Sequence, residues 1–153
     1  MNKKEIVLIE DSDADAHLAE RALRAAGIVN PILRFSTGAA ALEYLVRAHE
    51  QAPTLSAIPS VLIVDLNLPD IHGLDILKYV RQQPLFGKTL RVVLSQLEDL
   101  VSIRSAYALG ANTFLVKPLS HAELMGLVQG YPGHWIFAPP PGHSQAPSLG
   151  PGN

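Results

Sequence analysis

Short runs of consecutive apolar residues alternate along the chain with longer segments in which apolar residues recur every three or four positions. The runs are rich in Val, Ile and Leu, a composition typical of strands that are covered on both faces of a sheet. The longer segments, in which residues such as Leu18, Ala22 and Ala26 are spaced four apart, predict helices. The predicted strands are residues 5–10, 32–35, 61–65, 90–95 and 112–116. The predicted helices are residues 14–26, 38–48, 74–83, 98–109 and a last helix that begins at residue 120 or 121.

Strand and helix therefore alternate five times, which predicts the fold class. Such an order is typical of an α/β protein, in which a doubly wound parallel sheet has right-handed crossovers and helices on both faces. The chain has 153 residues, a length that favours a single domain with a core of its own.

The composition changes at residue 130, after which Pro and Gly are frequent. Since such a stretch is expected to support neither a helix nor a packed core, we divide the chain into a domain, residues 1–129, and an extended tail, residues 130–153. The tail carries Trp135 and Phe137, part of an apolar segment too large to be left comfortably in water. This segment is expected either to fold back on its own domain or to contact a partner subunit.

Charge and composition exclude several classes of function. The net charge of −2 and the pI of about 6.3 argue against a protein that binds nucleic acid through bulk positive charge. The absence of Cys excludes disulfides, thiolate metal sites and cysteine nucleophiles. No apolar run reaches the roughly 18 residues of a membrane span, and the N-terminal residues show no signal-peptide cleavage site. We therefore expect a cytoplasmic protein that contacts neither nucleic acid nor a membrane.

Polar and charged residues stand where the predicted strands end. In an open parallel sheet, ligands bind at the carboxyl ends of the strands. At these ends the sequence places Glu10, Asp11, Asp65, Ser95 and Lys117. Two carboxylates about 4 Å apart repel by about 4 kcal/mol at an effective dielectric constant of 20, so such a cluster favours a bound cation. Because the carboxylates offer only oxygen ligands, with no His or Cys among them, the sequence predicts a hard ion, Mg²⁺.

The same residue types are suited to phosphoryl transfer. A carboxylate can attack phosphorus and form an acyl phosphate, and Asp65 is the natural nucleophile because it ends the central strand. The three oxygens of the transferred group need positive or hydrogen-bonding partners, which a metal ion, Lys117 and Ser95 would supply.

These residues resemble those of a known family. Lys117 is followed by Pro118, and residues 65–73 read Asp-Leu-Asn-Leu-Pro-Asp-Ile-His-Gly. Together with the acidic pair, Glu10 and Asp11, and with Ser95, they resemble the response-regulator receiver domain of two-component signalling, over residues 4–129. The resemblance implies a flavodoxin-like (βα)5 fold with strand order 2-1-3-4-5. Since no effector domain follows in this sequence, a single-domain regulator is expected.

The resemblance also implies a metal site. Asp11 and Asp65 would bind Mg²⁺ directly, together with the backbone carbonyl of Asn67. Glu10 would act on the ion through a water molecule.

The remaining roles implied by the resemblance concern the phosphoryl group and the switch. Asp65 would be the phosphoacceptor, Lys117 would pair with a phosphoryl oxygen, and Ser95 would turn inward to hold the group. Phe114 would be the aromatic residue that rotates with Ser95, although it lacks the phenolic hydroxyl of a tyrosine. Gln96 departs from the family, which more often has a small residue there.

The expected partner is a sensor histidine kinase. The long loop before the third strand, the Asp-Leu-Asn-Leu-Pro and Leu-Gly-Ala-Asn sequences and the aromatic tail resemble the subgroup that partners bacterial phytochrome kinases. A homodimer is expected through the face formed by helix 4, strand 5 and helix 5, together with the tail.

Two other functions remain open at this point. A degenerate receiver could serve as a phosphorylation-independent binding scaffold, an interpretation that Gln96 keeps open. An aspartate-based phosphatase would use an acidic residue two positions after the nucleophile as general acid, and Asn67 cannot fill that role. We therefore expect a phosphoacceptor signalling domain and not an enzyme in the usual sense.

Overall fold

One parallel sheet forms the centre of the molecule. The computed structural model describes residues 4–51, 58–96 and 99–139. Its five strands lie in the order β2-β1-β3-β4-β5 and are parallel, which confirms the predicted topology. The strands are β1 (Ile6–Ile9), β2 (Ile32–Phe35), β3 (Val61–Val64), β4 (Leu90–Ser95) and β5 (Thr113–Val116).

Helices connect the strands and cover both faces of the sheet. They are α1 (Asp13–Ala25), α2 (Gly38–Glu50), α3 (Gly73–Gln82), α4 (Leu100–Ala108) and α5 (His121–Gly130). Four of the helices are capped at the N-terminus by a polar side chain: Ser12 for α1, Thr37 for α2, Asp99 for α4 and Ser120 for α5. The predicted start of α4 at residue 98 lies outside the described residues. No helix in the described part of the chain is long and apolar enough to cross a membrane.

The apolar side chains of the strands contribute to two hydrophobic cores, one on each face of the sheet. In β1, Ile6 and Leu8 face a core built with α1 and α5. Val7 and Ile9 face the opposite core, built with α2, α3 and α4. Because side chains alternate between faces, a strand that is buried on both sides is apolar at every position.

The structure corrects the interpretation of the stretch that begins at residue 130. Trp135 is buried, with 5% of its surface exposed, and packs in the same core as α1 and α5. Phe137 forms an antiparallel bridge with Ile28. The expectation that this stretch takes no part in a packed core is therefore wrong for Trp135. Residues 140–153 lie outside the described residues.

A buried amide fastens this segment to the domain. The side chain of Asn30 donates to the carbonyl of Lys4 at 2.6 Å and to that of His134 at 3.1 Å. Its Oδ1 accepts a hydrogen bond from the backbone N–H of Ile136 at 2.7 Å. Of the two alternatives for Trp135, the fold-back onto its own domain is the one that the structure shows.

Candidate functional site

The loop after β1 brings two carboxylates to the carboxyl edge of the sheet. Glu10 is buried and Asp11 is exposed. Glu10 Oε2 accepts a hydrogen bond from the backbone N–H of Ser12 at 3.2 Å. Ser12 in turn caps α1 by accepting from the N–H of Asp15 at 3.1 Å. The turn from strand to helix therefore fixes the direction of the Glu10 side chain.

An arginine on the neighbouring strand holds the same loop. Arg34, in β2, donates from Nε and Nη2 to the backbone carbonyl of Glu10, at 3.0 and 2.8 Å. Its Nη1 lies 2.7 Å from Asp13 Oδ1. Sequence reasoning missed this residue, although a charge inside the apolar run of β2 was a signal that could have found it.

Asp65 follows β3 and is almost completely buried. Its Oδ1 accepts a hydrogen bond from the backbone N–H of Asn67 at 3.0 Å. The first residue of α3, Gly73, lies so close that a Cβ there would be 2.5 Å from the backbone oxygen of Asp65. A glycine is therefore needed where α3 begins beneath the loop that carries Asp65.

Lys117 crosses the site from the end of β5. Its backbone N–H donates to the carbonyl of Ser95 at 2.8 Å, which aligns the loop after β5 with the end of β4. Its Nζ lies 2.5 Å from Glu10 Oε1, 2.9 Å from Asp65 Oδ2 and 3.0 Å from Asp15 Oδ2. The lysine therefore joins the predicted acidic groups to a third carboxylate.

That third carboxylate, Asp15, is a site residue that sequence reasoning missed. The sequence predicts an ordinary carboxylate of the first helical turn at this position, favoured by the helix dipole. The contact with Lys117 joins residues 102 positions apart, which no local pattern reveals.

The protonation of the site follows from burial and hydrogen bonding. Burial, opposed in part by the hydrogen bond from Lys117, raises the pKa of Glu10 to about 7. Burial lowers the pKa of Lys117, but hydrogen bonds to the carboxylates of Glu10, Asp65 and Asp15 outweigh it, so that the pKa is raised overall. Lys117 is therefore a cation at neutral pH.

The carboxylates fit the predicted ion. Glu10, Asp11 and Asp65 each offer one oxygen, and these atoms all lie within 4.8 Å of one another. A set of carboxylate oxygens is the chemistry that Mg²⁺ and similar hard cations prefer. The Asn67 N–H is engaged with Asp65, and the role of its carbonyl as a ligand stays a prediction.

The two predicted switch residues lie on neighbouring strands. Ser95 is the last residue of β4 and is buried. Phe114 lies in β5, is partly buried against the core formed with α2, α3 and α4, and has its backbone N–H bonded to the Tyr107 hydroxyl at 3.1 Å. Their movement on phosphorylation stays a prediction.

Comparison with known proteins places the chain in a family. The family model for the response regulator receiver domain matches residues 6–129. The chain belongs to the response regulator receiver family. It is 30% identical over 135 residues to the response regulator Rcp1 of Synechocystis sp., covering 87% of this chain and 89% of that protein.

Solved receiver structures resemble this one along most of its length. The bacteriophytochrome response regulator RtBRR is 30% identical, with a TM-score of 0.71 over 95% of this chain and 89% of that chain. The Mn(2+)-bound form of Rcp1 is 30% identical, with a TM-score of 0.65 over 83% of this chain and 90% of that chain. The receiver family is thus supported by sequence and structure together.

Proposed function

We propose that this receiver domain accepts a phosphoryl group from a histidine kinase on Asp65 and signals by a phosphorylation-dependent conformational change. The observation that carries the proposal is the contact of Asp65 Oδ2 with Lys117 Nζ, at 2.9 Å, beside the acidic pair. A nucleophilic carboxylate, a fixed cation and a cluster of metal-binding oxygens are the groups that phosphoryl transfer to an aspartate requires.

In the proposed reaction, an Asp65 carboxylate oxygen attacks phosphorus and forms the P–O bond of an acyl phosphate. The P–N bond to the histidine of the kinase breaks, and its electron pair stays on the imidazole. Burial of Asp65 and the N–H of Asn67 orient the carboxylate, while Lys117 contacts the phosphoryl oxygens. Asp11, Asp65 and the Asn67 carbonyl would hold Mg²⁺ directly and Glu10 would hold it through water. The ion, when bound, supplies positive charge for the transferred group.

The proposed output is a shift between two packings of the same fold. Phosphorylation adds about −1.5 to −2 charges at the site. Ser95 and Lys117 are drawn toward the new oxygens and Phe114 follows, which rearranges the face formed by α4, β5 and α5. The phosphoryl group shifts the population because its contacts differ between the two packings.

We further propose a bacteriophytochrome kinase as partner, a cytoplasmic location and a homodimer through the face formed by α4, β5 and α5 and the segment from residue 130. The structural similarity to RtBRR supports the choice of kinase. Leu100, Val101 and Tyr107, all on α4, are exposed apolar residues, which supports the choice of face.

Incubation with acetyl phosphate and Mg²⁺ tests the phosphoacceptor. Wild-type protein is expected to incorporate phosphate, and Asp65→Asn is expected to incorporate none. Asp75→Asn, which removes an exposed carboxylate from the first turn of α3, is the matched control and is expected to be labelled like the wild type. Undiminished labelling of Asp65→Asn refutes the assignment.

Two other results would support the alternative functions. A wild-type protein that is never labelled, by acetyl phosphate or by any kinase, supports a binding scaffold. Sustained turnover of a phosphomonoester supports a phosphatase.

A further inference from the structure

The Lys117 ammonium is fully engaged in the unphosphorylated protein. An ammonium group has three N–H donors. Three carboxylates, those of Glu10, Asp65 and Asp15, lie within 3.0 Å of its Nζ. A phosphoryl group that approaches Asp65 can therefore gain a full hydrogen bond from Lys117 only when one of these acceptors is released.

Exposure identifies the acceptor that is released most easily. The side chain of Glu10 is 3% exposed, so that losing its partner leaves a charge or a carboxyl buried. The side chain of Asp65 is 8% exposed and is itself the group that receives the phosphoryl group. The side chain of Asp15 is 25% exposed, and water can replace the lysine there.

The structure also contains room for this release. A cavity of about 210 Å³ lies between α1 and the loop after β5, and Asp15, Gln96 and Lys117 line it. Gln96, which lines the same cavity, carries an amide NH₂ that can donate a hydrogen bond.

We propose that Asp15 is a positioning residue that competes with the phosphoryl group for Lys117. It holds the lysine in the unphosphorylated arrangement and slows the reaction at Asp65. This inference rests on the proposed function, because it concerns the same reacting carboxylate. Asp15 is neither a proposed metal ligand nor the nucleophile, and it acts through Lys117.

The rate of phosphorylation by acetyl phosphate tests the competition. Asp15→Asn and Asp15→Ala are expected to be labelled about two- to five-fold faster than the wild type, the range that a partly exposed ion pair allows. The alanine variant should show the larger effect, since asparagine retains an oxygen that can accept from Lys117. Rates equal to or below that of the wild type in both variants overturn the proposal.

Asp75→Asn is the matched control. Asp75 also lies in the first turn of a helix, α3, and carries the same charge, but its side chain is exposed. Its replacement is expected to leave the rate of labelling unchanged. An increase in Asp75→Asn equal to that in Asp15→Asn would attribute the effect to net charge and overturn the proposal.

A second measurement needs neither metal nor phosphate. The ¹⁵N NMR signal of the Lys117 ammonium is expected to be protected from exchange with water in the wild type and in Asp75→Asn, and to broaden in Asp15→Ala. An unchanged signal in Asp15→Ala overturns the proposal. If wild-type protein is not phosphorylated at all, the proposed function fails, and the NMR signal still decides whether Asp15 holds Lys117.

Discussion

At the scale of single residues, the candidate site depends on side chains that orient its carboxylates as well as on the carboxylates themselves. Arg34 is the clearest case, since two of its N–H groups bond to the backbone carbonyl of Glu10. This carbonyl lies directly before Asp11, so that Arg34 in β2 restrains the backbone that carries Glu10 and Asp11. Removing that restraint should loosen the carboxylates without removing any of them.

We therefore expect Arg34→Met to bind Mg²⁺ about ten-fold more weakly than the wild type, the lower end of the effect of groups that orient metal-binding residues. Isothermal titration calorimetry measures the affinity. Arg21→Met, on the exposed side of α1, is the control and should bind as the wild type does. Equal affinity of Arg34→Met and wild type would show that the arginine does not hold the site.

At the scale of elements, a loop at the site also holds a helix that does not adjoin it in the sequence. The Asp70 carboxylate, in the loop after β3, accepts hydrogen bonds from the N–H groups of Gly38 and Ala39, at 2.9 and 2.8 Å. It thereby caps α2 from a distant part of the chain. These bonds to Ala39 and Gly38 lower the pKa of Asp70.

The sign of the pH dependence follows from this lowered pKa. A carboxyl group whose pKa is lowered by folding stabilises the protein above its unfolded pKa, about 3.9, and this stabilisation is lost as the pH falls through the folded pKa. Asp70→Asn should therefore have a lower Tm than the wild type at pH 7. The difference should shrink below about pH 4. A difference in Tm that stays constant from pH 7 to pH 3 would contradict the role of the charge.

The start of α3 gives a second prediction at this scale. Gly73→Ala places a Cβ 2.5 Å from the backbone oxygen of Asp65, and the backbone must shift to accept it. We expect a loss of about 1–3 kcal/mol in the free energy of unfolding, measured by chemical denaturation. The control is Gly126→Ala in α5, where a Cβ would meet nothing within 4 Å. That substitution should instead stabilise the protein by about 0.5–1 kcal/mol, and a loss in both variants would point to a general effect of replacing glycine.

The sequence allowed the strands, and the polar residues that meet at their carboxyl ends, to be predicted for one physical reason. A strand that is buried on both faces is a continuous apolar run, and the polar residue that ends it lies at the edge where ligands bind. Asp65 and Lys117 were found in this way. Asp15 was not, because its partner depends on how α1 packs beside the end of β5.

At the scale of the whole molecule, the segment after α5 completes the domain. Trp135 is buried in the core to which α1 and α5 contribute, and the buried Asn30 amide binds the backbone on both sides of Trp135. A Pro- and Gly-rich composition disfavours regular structure, but it does not prevent a single large side chain from packing. Sequence composition alone could not decide between packing on the same domain and contact with a partner.

The proposed dimer is tested on the exposed face of α4. Val101 is 74% exposed, and a carboxylate there should disrupt an apolar interface without disturbing the core. We expect wild-type protein to have the mass of a dimer by light scattering and Val101→Asp that of a monomer. Leu18→Asp, on α1 and outside the proposed face, should remain dimeric. A dimeric Val101→Asp would exclude this residue from the interface.

The most direct test of the whole account locates the phosphoryl group. After incubation with acetyl phosphate and Mg²⁺, borohydride reduces an aspartyl phosphate to homoserine, and peptide mass spectrometry identifies its position. We predict homoserine at position 65 and at no other aspartate, with none formed when the metal is chelated. Reduction at another residue, or labelling that does not depend on the metal, would contradict an acidic, metal-dependent pocket built around Asp65.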